Sequence, residues 1–315
     1  MISETLRIWK ICARLILLFQ FKLKIPDKIQ EYLSEKTDSE LALIGCRADD
    51  TNTRISYDCC EYDIAVLGQN DKGLSNKIKP VGNYTLEFLD FPKYDNSEIS
   101  LLNMVKLKNK TSNLLVSQDK HSSPKTDNRR IFFAAGKRRA ADSLFNVSKT
   151  SSSKAELNSA LNLKIAAYDL IEGILLTSEI RPMPIHELNQ LRELEVHKDF
   201  INEAIQLCIE CLGIERATRT IINRSYRALK EILKERYDIG LLQSKIEFLV
   251  QHGLIADCYY YIGKLVCNHL EKKDYAYQLN YHKLNSLALD LTSDYENINK
   301  RSKLIKTYCK NLLKN

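Results

Sequence analysis

Two acidic residues, Glu61 and Asp63, stand one residue apart just before the apolar run Ile64-Ala65-Val66-Leu67. In an extended chain alternate side chains share a face, so this pair projects together and presents oxygens suited to one hard divalent cation. Upstream, the apolar run Leu41-Ala42-Leu43-Ile44 breaks at Gly45-Cys46-Arg47. A glycine there lets the backbone approach a ligand closely, and its N–H groups, together with the Arg47 guanidinium, suit a phosphate. A phosphate-binding turn beside paired carboxylates is the combination that metal-assisted phosphoryl chemistry uses.

These residues need elements to hold them. After Pro26, Asp27 to Lys36 carries Ile29, Tyr32 and Leu33 at helical spacing and predicts a short helix leading into a strand at Leu41. Further strands are predicted at 64–67 and 84–91, with 99–107 apolar enough for a helix or a strand and 113–116 for another strand. From 117 to 153 the composition turns to Ser, Lys, Arg, Asp and Asn, interrupted by Ile131-Phe132-Phe133-Ala134-Ala135, and predicts a basic, polar linker over 121–153. Beyond 154 the pattern is helical throughout, over 155–176, 185–194, 200–212, 215–237, 241–250, 256–272 and, with breaks, 275–313. The expected architecture is an α/β (α+β) unit at 26–120 with a small mixed sheet, followed by an all-α helical domain at 154–315.

At 315 residues and 44% apolar composition, the chain has material for two packed units and is no disordered segment. The net charge of +7 makes an anionic ligand reasonable without requiring one. Nine cysteines, odd in number and irregularly spaced, form no disulfide framework and predict reduced thiols in a cytoplasmic protein. Residues 1–25 predict an amphipathic helix through Leu6, Trp9, Ala13, Ile16 and Leu17. Arg7, Lys10, Arg14 and Lys22 interrupt it too often for a transmembrane segment. Cys208 and Cys211, with Cys267 and His269 downstream, fall in apolar helical runs and read as buried side chains rather than a zinc site. Arg181 and His186 are separated by Pro182 and Pro184, which predict a connector with His186 near the start of the next helix. Basic residues gather at Lys125, Arg129, Arg130, Lys137, Arg138 and Arg139, and again at Arg216, Arg219, Arg227, Lys230 and Lys234, where a nucleic-acid backbone or a triphosphate could lie.

Residues 27 to about 92 resemble the nucleotidyltransferase domain of the DNA polymerase β superfamily. That pattern runs helix, strand, Gly-Ser turn, an acidic-x-acidic pair at the next strand, and a third acid on a later strand. Here Gly45-Cys46 stands at the turn, Glu61 and Asp63 form the pair, and Glu87 in Thr85-Leu86-Glu87-Phe88 is the third acid. The resemblance implies transfer of a nucleoside monophosphate from an NTP to a hydroxyl acceptor, which could be a small molecule, a protein or an RNA. It implies Mg²⁺, two ions if the chain is active, held by Glu61, Asp63 and Glu87, with Gly45, Cys46 and Arg47 against the nucleotide phosphates. Cys46 and Glu61 replace the family's usual serine and aspartate. These departures point to the alternative expectation of a catalytically inactive scaffold whose helical domain binds protein or nucleic acid.

Overall fold

A computed structural model describes residues 25–36, 41–48, 61–66, 77–90, 105–110, 113–116, 125–152, 156–194, 199–234, 238–291 and 294–314. The amphipathic helix expected over 1–25 lies, apart from Ile25, outside the described residues.

The first half is one mixed sheet. Its strands are β1 (Leu41–Ile44), β2 (Glu61–Val66), β3 (Lys77–Val81), β4 (Tyr84–Asp90), β5 (Val105–Lys110) and β6 (Asn113–Val116), in the order β3-β4-β2-β1-β5-β6. All pairs are antiparallel except β2 with β4. Helix α1 (Asp27–Lys36) covers one face. Ile29 and Leu33, four residues apart, join Ile25 in a core with Leu43, Ile64, Leu86 and Phe88. The alternate positions Ala42, Ile44 and Ala65 form a smaller apolar patch on the other face. Strand β3 was not legible in Lys77-Ile78-Lys79-Pro80-Val81, because lysines and a proline suit an edge strand and erase the apolar signal. It returns to β4 through a turn at Gly82-Asn83, where Gly82 takes φ 59°.

The second half is helical. It contains α2 (Lys125–Ser152), α3 (Glu156–Thr177), α4 (Glu187–Glu193), α5 (Asp199–Leu212), α6 (Arg219–Leu233), α7 (Ile239–Gln251), α8 (Ile255–Glu271), α9 (Tyr275–Asn280), α10 (His282–Leu289) and α11 (Tyr295–Lys314) around one core. The expected linker over 121–153 is corrected: nearly all of it is α2, packed along α3. Its inward positions are largely small or polar, which disguised them. Ser143 Oγ donates to the Ala166 carbonyl at 2.7 Å, and Thr150 Oγ1 bonds Ser302 Oγ at 3.1 Å. The helices come close where Gly136 faces Gly173, each glycine carbonyl lying 3.0–3.2 Å from where the other would place a Cβ.

Charge is buried in this half only with partners. Lys264 on α8 sits between Glu172 and Glu187 and bonds both, and Tyr260 donates to Glu187 at 2.7 Å. Arg139 meets Glu172 at 2.6 Å and Asp169 at 3.5 Å, while Asn146 Nδ2 donates to both Asp169 and Glu271 at 2.8 Å. The Lys164 ammonium donates to the Leu212 carbonyl at the end of α5 at 2.6 Å. His186 precedes α4 as its buried N-cap, as the prolines predicted. Cys208, Cys211 and Cys267 are buried with their thiols pushed above the usual range by desolvation, and among the described residues they join no metal-binding group.

Burial, reinforced by the charge of Glu271, pushes the Asp169 carboxyl from 3.8 to about 7, with Asn146 and Arg139 opposing. Between about pH 4 and pH 7 the folded state therefore holds a proton that the unfolded chain releases, so this group's contribution to stability is lost as pH rises. Asp169→Asn is expected to flatten that part of the pH profile, measured as urea midpoints from pH 5 to pH 8.

Candidate functional site

The geometry starts from strand register. Parallel pairing of β2 with β4 sets Asp63 beside Glu87, and antiparallel pairing of β1 with β2 sets Ile44 beside Asp63. Alternation along β2 puts Glu61 on the same face as Asp63. The three carboxylates converge: one ligand oxygen from each lies within 4.8 Å of the others. The chain leaves β1 through a 3₁₀ turn at Gly45–Ala48, whose first residue takes φ 76°. A Cβ on Gly45 would overlap the Asp63 carboxylate, so the turn can touch this acid only as glycine.

Among these acids Asp63 resists ionisation. Burial, then the charge of Glu61, with smaller contributions from Cys46 and Glu87, pushes the Asp63 carboxyl from 3.8 up to about 8, and Lys245 opposes them. Glu61 is 5% exposed. Such a cluster favours a cation.

The structure supplies one that the sequence reading missed. Lys245 projects from α7 with its ammonium 2.8 Å from Glu61 Oε1 and 3.6 Å from Glu87 Oε2. Burial works against its charge, but Tyr261, Glu61, Glu87 and Asp63 outweigh that and raise its pKa above the ordinary lysine value. Helix α7 is fixed by Asp238, whose side chain accepts from Leu241 N at 2.9 Å, and by the buried Leu242, Ile246 and Leu249. A signal was present. Lys245 lies four residues from both Leu241 and Leu249, in line with an inward stripe where an unpaired lysine has no place.

The turn residues divide in role. Gly45 lies against the acids, and Cys46 is half-buried against the helical core. Arg47 turns toward Tyr62. Its Nε donates to the Glu61 carbonyl at 2.9 Å, one terminal nitrogen reaches the Tyr62 hydroxyl at 3.2 Å, and the guanidinium lies 4.0 Å from the ring centroid. Since Tyr62 points to the opposite face of β2, Arg47 braces the strand rather than facing the cluster.

Among the described residues, no helix is long and apolar enough to cross a membrane. Comparison with known proteins gives no matching family model, no matching curated protein and no matching solved structure.

Lys245→Met is expected to lower stability by about 3 kcal/mol, because it removes the ammonium that pairs with Glu61 and Glu87. Millimolar Mg²⁺ should then raise the melting temperature of the variant more than that of the parent, as read by scanning calorimetry. Gly45→Ala should cost about 2 kcal/mol through its positive φ and the collision with Asp63, checked by urea denaturation.

Proposed function

We propose that this chain is a nucleotidyltransferase-like protein that transfers a nucleoside monophosphate from an NTP to a hydroxyl acceptor. The observation that carries the reading is the convergence of Glu61, Asp63 and Glu87 from two parallel strands beside the Gly45 turn. The acidic oxygens fit a hard divalent ion, and the upward shift of Asp63 marks a cluster short of positive charge. Mg²⁺ held by these three side chains would supply charge neutralisation at the reacting phosphates.

In this reading the acceptor oxygen forms a bond to the α-phosphorus as the α–β bridging bond breaks and pyrophosphate departs. Glu87, whose side chain is 26% exposed against 5% for Glu61, is more open than Glu61 to an entering acceptor, and its Oε2 takes the hydroxyl proton. The backbone of the Gly45 turn borders the phosphates and holds the Asp63 carboxylate in place. Acceptors of this kind include small alcohols, protein side chains and RNA ends.

One observation favours a second reading. Lys245 already pairs with Glu61 and Glu87, and in a non-catalytic scaffold that ion pair would fasten the sheet to the helices.

Incubation with each of the four NTPs and Mg²⁺ separates the two readings. The catalytic one expects pyrophosphate release that falls at least a hundredfold in Asp63→Ala, together with metal-dependent nucleotide binding. Absence of such binding in the parent protein leaves the scaffold.

A further inference from the structure

Positive charge is distributed unevenly. Residues 216–234 contain Arg216, Arg219, Arg224, Arg227, Lys230 and Lys234 against the single acid Glu231, with Glu215 and Glu235 flanking them. Its helix, α6, buries Ile222, Ser225, Ala228, Leu229, Ile232 and Leu233 and turns its basic side outward. That side is concave. Between α6 and α10 runs a groove of about 730 Å³ lined by Asn223, Arg224, Arg227, Lys230 and the acid Glu231, with Leu284 and Leu287 as its apolar wall.

The charges along this groove are only partly answered. Asp290 takes Arg216 at 2.6 Å and Arg224 at 3.1 Å, Glu215 lies 3.9 Å from Arg216, and Glu231 meets Lys234 at 3.9 Å. Arg227 has no acidic partner among the described residues, and Lys230 has only the face of the Tyr226 ring, 4.9 Å away. Arg224 Nε is shielded from solvent and has no hydrogen-bond partner among the described residues. Leu287 is 43% exposed, a large apolar side chain left at the wall of a basic groove.

We infer that this groove binds single-stranded nucleic acid. Arg224, Arg227 and Lys230 follow one another at three-residue intervals and span about 9 Å of helix. Successive phosphates of an extended single strand lie farther apart than the axial rise of a duplex, so that length meets about two of them. The leucine wall offers riboses and bases a surface that single strands leave free to use and duplexes do not. A membrane surface fits poorly, because the apolar side of α6 is spent in the core and cannot insert between lipids. This assignment does not depend on the carboxylate cluster.

Fluorescence anisotropy of the full chain with labelled 15-nucleotide oligo-U and oligo-dT, at 50 and 200 mM salt, tests it. Binding of either strand that weakens with a log–log salt slope near −1.4, about 0.7 for each of two phosphates, is expected. Arg227→Glu with Lys230→Glu should weaken it at least tenfold and flatten the slope. Lys303→Glu with Lys306→Glu, the same charge change on the exposed side of α11, should weaken it less than threefold. The inference is overturned by absence of binding at 50 mM salt, by equal losses in the two double variants, by tighter binding of a duplex, or by poly-glutamate competing as well as an oligonucleotide of equal charge.

Discussion

Three carboxylates, each with an oxygen within 4.8 Å of the others, repel one another and call for a cation, and burial with the neighbouring charges pushes the Asp63 carboxyl up to about 8. Much of the arrangement around the site answers that demand. Parallel pairing of β2 and β4 creates the crowding by aligning Asp63 with Glu87, and the glycine turn after β1 presses against Asp63 from the side. The answer arrives from the other half of the chain, through one lysine on α7. The Lys245 contact with Glu61 therefore links the sheet to the helices electrostatically, and any ligand that brings its own positive charge must deal with it.

The same physics operates inside the helical half with different parts. Lys264 between Glu172 and Glu187 is a buried charge kept by partners on neighbouring helices, and the partly exposed Arg139 reaches inward to Glu172 and Asp169. These pairs select one packing arrangement, since sliding a helix would strand a charge. Asp63 at the carboxylate cluster and Asp169 among the helices are both pushed upward by burial despite their cationic neighbours Lys245 and Arg139.

How much of this was legible follows from what each signal measures. Strands β1, β2 and β4 and nearly all the later helices were visible because their apolar residues repeat with the period of the element. The pair Glu61 and Asp63 was visible for the same reason, as period two fixes a common face. Helix α2 was missed because it packs through Ser143, Asn146, Thr150 and glycine, residues that composition assigns to loops. Strand β3 was missed because an edge strand tolerates proline and lysine. Arg47 was assigned to a phosphate from its place in the turn, yet the aromatic face of Tyr62 holds it, a contact that sequence spacing does not encode. Lys245 lay in plain sight as a lysine on an apolar stripe, but its partners are distant in the chain and only the folded topology identifies them.

That distance bears on the order in which the molecule is made. The strands that gather the acids are local: β1 pairs with β2, and β3 and β4 form a hairpin that returns to β2. Short-range pairings close first, because the entropy of bringing chain ends together grows with the intervening length. On the ribosome, Glu61, Asp63 and Glu87 emerge well before Lys245 is synthesised. The acids of the sheet are therefore made before the Lys245 ammonium that pairs with two of them, and arrival of α7 adds that positive charge to the cluster.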